Sequence, residues 1–385
     1  MTLAGHYTLR PGVRASVAGQ RPVLGGGRLG RLLRGHQGEP VVRTLSNVFT
    51  LCAHAHRRTA RLALRAANPS ASALLPVESP VVLSLETARD HLRSIALDWP
   101  QRHPAATQTA PDLHWLRDCP LHLVSPAQGC TPQDALAAMA QLRSWLENLL
   151  HQPVQDWLNH HRNADAFAHW CRSRAIDLSP ARCLADWYPL AHSLDPQTRS
   201  LDLLNSNATV QSTHLGEIAQ AMATDPDFVQ HPLWRGQCAE TGTWTRLSHQ
   251  VQCDTLHHNA WTRLGARWME LVNLTAAAPT TTDGHRDFPL DSGALLLGDG
   301  QAIAWCEMAR GLLLHWVQLD PQGRVEDYRV LAPTEWNFHP DGALAHALAA
   351  LPEQDTTSAW CLAAAFDPCV DCSVIGTAPE ENVHA

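Results

Sequence analysis

No stretch of the sequence approaches the roughly 18 consecutive apolar residues that a membrane-spanning helix needs. The N-terminal MTLAGHYTLRPGVR has no apolar run of the kind a signal peptide carries, so a cytoplasmic protein is expected. Charge of either sign is scarce. Only 17% of the 385 residues are charged, with 37 Asp and Glu against 29 Lys and Arg, a formal net charge of −8. The bases are scattered rather than gathered into a run, which disfavours nucleic acid or an anionic membrane as a partner. Dense cysteine spacing is missing too. Eleven cysteines lie spread along the chain, which excludes a disulfide scaffold and predicts mostly free thiols in a reducing compartment. Eight of them, Cys119, Cys130, Cys171, Cys183, Cys238, Cys253, Cys306 and Cys361, read as small buried hydrophobes. Internal repeats and long linkers are absent, and 45% apolar content is ordinary for a globular chain, so residues 1–385 read as one unit whose ends converge.

The residues present predict an α+β fold, mainly helical. Residues 1–50 read as short strands and turns. Gly25, Gly27 and Gly30 match a GxGxxG spacing, but a dinucleotide site also wants an acid about twenty residues on, where Thr50 stands. From 51 to 67, LCAHAHRRTARLALRAA predicts a helix with Cys52, His56, Ala60, Ala63 and Ala67 along one face. Arg57, Arg58, Arg61 and Arg65 supply a wet face, and Asn68 before Pro69 stops the helix. Cys52 stands at its N-terminal end, where the helix dipole favours thiolate. Further helices are expected over 86–98, 132–151, 256–275 and 342–350, the second capped by Thr131 with Pro132 and Asp134 behind it. After 300 the pattern turns to strands, GLLLHWVQL and RVEDYRVL, joined by the turn Asp320-Pro321-Gln322-Gly323. Residues 100–230 are rich in Trp and His without a usable motif.

Cys369-Val370-Asp371-Cys372 is a CxxC. Alone it is open between a redox pair, half a zinc site and a ligand pair for iron or nickel. A thioredoxin-like motif would follow a strand early in a βαβ unit, whereas this one lies near residue 372. A structural zinc would need two more ligands, for which Cys52, His54 and His56 are available.

Four further segments accompany it. They are Glu307-Met-Ala-Arg310-Gly311-Leu-Leu-Leu-His315, Pro333-Thr334-Glu-Trp336-Asn337-Phe-His-Pro340, Glu240-Thr-Gly242-Thr-Trp-Thr-Arg246 and Leu51-Cys52-Ala-His-Ala-His56. With Asp367-Pro368-Cys369-Val-Asp-Cys372 they resemble the large subunit of [NiFe]-hydrogenases, over about 40–65 and 240–375, while 100–230 is divergent. The resemblance implies that fold, with N- and C-terminal segments converging on a buried thiolate site. It also implies that Cys52 and Cys372 occupy the positions bridging both metals and Cys369 one terminal nickel position. The other terminal nickel position falls on Phe49; Ile375 replaces a histidine, and Ala4 stands where a glutamate precedes Gly5-His6.

Nickel needs four thiolates, so the phenyl ring at 49 argues against nickel and turnover. Iron with its own cyanide and carbonyl ligands needs only the two bridging thiolates. The pattern is similar to the non-catalytic HupK/HoxV assembly type. It implies a scaffold, not an enzyme, that holds an Fe(CN)2CO fragment for transfer to a hydrogenase large-subunit precursor, with the accessory proteins of the iron-cyanide-carbonyl pathway as partners. Such a site carries about two negative charges and requires buried donors. By the resemblance these are Arg310 beside one cyanide, Pro333 and Thr334 along the other, and His56 behind a thiolate. The plainer readings are an Arg310–Glu307 pair on a strand end and a packed helix histidine. His315, Trp336 and Asn337 read as scaffold. Two other functions remain open: a divergent catalytic subunit, or a metal-free structural relative.

Overall fold

The computed structural model describes residues 5–70, 75–76, 78–103, 112–121, 130–204, 207–250, 258–276 and 290–376. The N-terminal segment forms strands β1 (His6–Leu9) and β2 (Val17–Gln20), then helices α1 (Arg28–Leu33), α2 (Glu39–Val48) and α3 (Ala53–Ala67). The expectation of strands and turns to residue 50 is therefore corrected by two helices. Gly30 does not serve a nucleotide: a Cβ there would lie 2.4 Å from Asp327 Oδ1, so the glycine lets α1 approach a strand of the C-terminal sheet.

Helix α4 (Pro80–Arg93) continues through a π-helical turn, Ser94–Asp98, into α5 (Trp99–Arg102). It starts six residues earlier than expected. Pro80 sits in its first turn, and Val81, Val82 and Leu83 are buried, so packing overrides the β-branched preference of the two valines. The divergent middle is helical: α6 (Pro132–Leu150), α7 (Val154–His161), α8 (Ala164–Arg174), α9 (Ser179–Ser193) and α10 (Ala208–Thr224). The capping box at Thr131 and Asp134 is complete. Helices α11 (Thr243–Gln250) and α12 (Ala260–Ala276) follow, and α12 packs on α4, α6, α7, α9 and α11 with Leu264, Trp268, Leu271 and Val272 fully buried. Each such side chain contributes about 1.5–3 kcal/mol relative to exposure.

Four antiparallel strands in the order β3 (Ser292–Gly298), β4 (Gln301–Met308), β5 (Gly311–Leu319) and β6 (Val325–Leu331) make the main sheet. The Asp320–Gly323 turn closes with Gly323 N–H donating to Asp320 O at 2.9 Å. Alternation along β5 gives each face its own core: Leu313, His315 and Val317 turn toward α3, whereas Leu312, Leu314 and Trp316 join Leu215, Ile218 and Met222 of α10. The chain continues through α13 (Pro333–Asn337), α14 (Ala343–Ala349) and α15 (Thr356–Phe366) to β7 (Asp371–Val374). β7 pairs in parallel with β1, Tyr7 opposite Cys372, so the two ends of the chain do converge.

The arginine face of α3 is not wet. Arg58 is buried, and Arg57 and Arg61 pair with Glu78, with Arg61 also reaching Glu39 of α2. Acidic residues of neighbouring segments cover and neutralise that face. Among the presumed core cysteines, Cys171, Cys306 and Cys361 are buried; Cys119, Cys130, Cys183 and Cys238 are half-buried, and Cys253 lies outside the described residues.

Candidate functional site

Cys52 is the buried N-cap residue of α3. Its thiol is not the group that meets the helix dipole. Glu86 of α4 takes that place, its carboxylate accepting from the backbone N–H of His54 at 2.8 Å and of Ala55 at 2.9 Å. Burial, then the charges of Cys369, Glu86 and Asp90, push the Cys52 thiol well above its ordinary value. The expected low-pKa thiolate is corrected to a protonated thiol, and a cation bound there would have to displace the proton.

Cys369 follows α15, whose C-cap is Asp367 at φ +48°, a left-handed conformation uncommon outside glycine. Thr334, in the first turn of α13, places Oγ1 3.0 Å from Cys369 Sγ. The Asp367 carboxylate accepts from Ser94 Oγ at 3.0 Å and faces Arg310 at 3.3 Å, Arg267 at 3.6 Å and Arg102 at 3.9 Å. Burial alone would raise Asp367, but these three guanidinium groups hold it well below the usual carboxylate range.

Arg310 stands in the two-residue turn between β4 and β5, where Met308 pairs with Gly311. It pairs with Asp90 at 3.5 Å and Asp367 at 3.3 Å, not with Glu307, which accepts from Asp291 N–H. Burial pushes Asp90 up to about 7 despite Arg310, with Glu86 adding to the rise. A second buried cation, Arg21, has its guanidinium carbon 5.3 Å from the centroid of the Phe49 ring. Burial alone would lower both arginines, but their carboxylate neighbours, Glu335 for Arg21 and Asp367 and Asp90 for Arg310, act to keep them cationic. Arg21 Nε and Nη1 and Arg310 Nε have no hydrogen-bond partner among the described residues. Buried unused donors beside thiols suit an anionic, acceptor-bearing group.

Phe49 ends α2 and stacks on His56 with ring centroids 3.9 Å apart and planes within 7°. His56 Nδ1 lies 3.0 Å from His315 Nε2, and His315 Nδ1 lies 2.7 Å from the Tyr328 hydroxyl. Burial holds both histidines neutral, His315 at about 3 and His56 well below its usual value. His56 thus meets another histidine and a phenyl ring rather than a thiol, and His315 is the second member of a buried polar chain.

Cys372 lies in β7, half-buried. Burial raises its thiol, with Arg102 opposing and Asp367, Asp371 and Asp98 reinforcing. Cys52 and Cys369 therefore face one another electrostatically, while the charges that Cys372 feels most belong to the Asp98–Arg102–Asp367 side. Among the described residues no three His, Cys, Asp or Glu side chains form a ready metal cage, and all three cysteines are free thiols. Pro333 occupies the first turn of α13 and Ile375 is exposed; Ala4 lies outside the described residues. Sequence reasoning missed Arg21, Glu86, Asp90 and Glu335. Only Glu86 and Asp90 left a signal, two acids one turn apart that follow the apolar start of α4 and are buried with it. The ExGxxxR residues are structural: Glu240 holds Arg263 at 2.8 and 2.7 Å, and Arg246 holds Glu270 at 2.8 Å through both oxygens.

Comparison with known proteins agrees with the C-terminal motifs. The nickel-dependent hydrogenase family matches residues 291–375. A solved NAD+-reducing [NiFe]-hydrogenase in the H2-reduced state aligns over 89% of each chain, at 13% identity and a TM-score of 0.48. The hydrogenase expression/formation protein HupK of Rhizobium leguminosarum bv. viciae is 28% identical over 89% of this chain and 88% of its own. The hydrogenase expression/formation protein HoxV of Cupriavidus necator is 38% identical over 100% of this chain and 99% of its own. With identity at that level sustained from end to end, the chain belongs to the HoxV/HupK family of hydrogenase expression/formation proteins.

Proposed function

We propose that this chain is a non-catalytic scaffold in [NiFe]-hydrogenase maturation. It receives an Fe(CN)2CO fragment from the accessory proteins of the iron-cyanide-carbonyl pathway, holds it as cargo on Cys52 and Cys372 with Cys369 beside them, and passes it to a large-subunit precursor. The observation that carries the reading is Phe49. Its ring, stacked on His56 and lying beside Arg21, fills the place where the resemblance puts a nickel thiolate. Iron would need fewer thiolates from the protein, because its diatomic ligands complete its coordination.

The chain's own residues have work to do in this scheme. The thiols must be deprotonated as the cargo arrives, since burial keeps Cys52 and Cys372 raised. Arg310 and Arg21 offset the negative charge of the thiolate-bound fragment, and Arg21 Nε, without a hydrogen-bond partner among the described residues, is available to cyanide nitrogen. Thr334, 3.0 Å from Cys369 Sγ, orients that thiol. Full-length likeness to a hydrogenase expression/formation protein supports the maturation setting.

The test is infrared spectroscopy with metal analysis on protein made alongside the maturation system. Cyanide and carbonyl bands with iron are expected in the wild type and absent from Cys52→Ala and Cys372→Ala. Bands that survive in both variants would sink the reading. Stoichiometric nickel with hydrogen uptake would establish a catalytic subunit in its place.

A further inference from the structure

A cavity of about 130 Å³ lies between the β1–β2 hairpin and α13, lined by Tyr7, Arg21, Gln230, His231, Glu335 and Phe338 among others. A water needs roughly 10–15 Å³ of such space, so several small groups fit. His231, at one side, is exposed, whereas Arg21 and Glu335 are buried, at 6% and 3% exposure. The cavity therefore runs from solvent to a buried charged pair.

That pair is poorly made. Arg21 Nη1 and Glu335 Oε1 stand 3.5 Å apart; neither of these atoms, nor Arg21 Nε, nor Glu335 Oε2, has a hydrogen-bond partner among the described residues. Burying two charges without satisfying them is unfavourable unless something else binds there. Arg21 is also the junction with the thiols: its guanidinium lies beside Phe49, and its charge is felt by Cys52. Thr334, the residue before Glu335, reaches Cys369. Nothing in the recognised motifs includes Arg21.

We propose that this cavity is a port for small linear anions of the cyanide type, free or borne by iron, in which Arg21 exchanges the Glu335 carboxylate for the incoming anion. The port rests on the scaffold reading only for the identity of its cargo. Arg21 Nε and Nη1 make no hydrogen bond among the described residues, an acceptor anion of two or three atoms is narrow enough for the cavity, and the cation stays paired while the displaced Glu335 carboxyl, raised by burial, takes up a proton. Arg21 acts as a positioning residue that delivers the anion beside Cys369 and Cys52.

The probe is azide, a linear monoanion with a strong infrared band, titrated into metal-free full-length chain. The wild type should show a shifted, saturable azide band, Arg21→Gln should lose it, and Arg21→Lys should retain it in weakened form. Glu335→Gln, which removes the competing carboxylate, should bind azide about fivefold or more tighter. A merely structural pair predicts the opposite for that variant, weakening in step with Arg21→Gln. Equal azide binding by wild type and Arg21→Gln, or weakening in Glu335→Gln, would overturn the port. A second arm uses chain made alongside the maturation system, where Arg21→Lys should shift the cyanide bands by several wavenumbers without loss of iron. Unshifted bands overturn delivery of iron-borne cyanide. A wild type without bands counts against the scaffold function instead, and the azide comparison then decides the port alone.

Discussion

Phe49 shows how one residue can redirect a site. Its ring is buried, stacks on His56 and lies beside Arg21, so it both removes a donor and fixes the neighbours of the remaining thiols. Phe49→Cys would bring the thiols near the site to four, the new one joining those of Cys52, Cys369 and Cys372. Metal analysis after nickel incubation should show nickel rising from trace in the wild type to a substantial fraction in the variant. Nickel that stays at trace would mean that ring 49 is not what withholds it. The substitution also strips a buried ring, at about 2–4 kcal/mol of stability, so unfolding should be measured beside metal content. At this scale the sequence is informative where chemistry sits in short strings: Cys52, Arg310, Thr334 and Cys369 all adjoin the site. It is silent where chemistry comes from tertiary approach. Arg21 and Glu335 lie toward opposite ends of the chain and meet only because the segment after β2 and α13 share a cavity wall.

Helix α3 gathers the site because both its termini are held. Glu86 satisfies two of its first N–H groups, and Asn68 closes its end on Leu64 O. Glu86→Ala leaves two buried donors without acceptors, a loss of about 2–4 kcal/mol, to be read as a lower urea midpoint with the slope unchanged. An unchanged midpoint would show that the helix does not depend on this carboxylate. The β4–β5 turn that carries Arg310 has its own constraint. Gly311 has φ +130°, and a Cβ there would come within 2.8–2.9 Å of Thr241, so Gly311→Ala should cost upwards of about 2 kcal/mol. That variant should also displace Arg310 and widen any cyanide bands; narrow, unmoved bands would contradict the link. Helices are legible where caps and periodicity coincide, as at Thr131–Asp134 and Asn68. They are missed where apolar residues sit on both faces, as at the start of α4, and where glycine-rich sequence precedes a short helix, as at α1.

Across the whole molecule the buried charges pull stability in opposite directions with pH. Burial would raise Glu270, but Arg246 and His91 together hold it at about 2, and Asp367 is held lower still by Arg310, Arg267 and Arg102. Both carboxyls bind protons less tightly folded than unfolded. Their stabilisation is present above the unfolded carboxylate range, about pH 4, and is lost as pH falls through their folded values. Asp90 has the reverse sign. Raised to about 7 by burial, it binds its proton more tightly in the fold, so its contribution is complete below about pH 4 and is lost as pH rises toward 7. The wild type should therefore lose stability on both sides of a mildly acidic optimum. Asp90→Asn keeps an oxygen for Arg310 and removes the titration, so urea midpoints measured at about pH 5, 6 and 8 should converge in the variant, the difference between the two proteins changing by up to a few kcal/mol over that range. Parallel curves would mean that Asp90 stays ionised in the fold, tied to Arg310 as a full ion pair. The centre would then hold one negative charge more, and Arg310 would have correspondingly less attraction left for a cyanide-bearing anion.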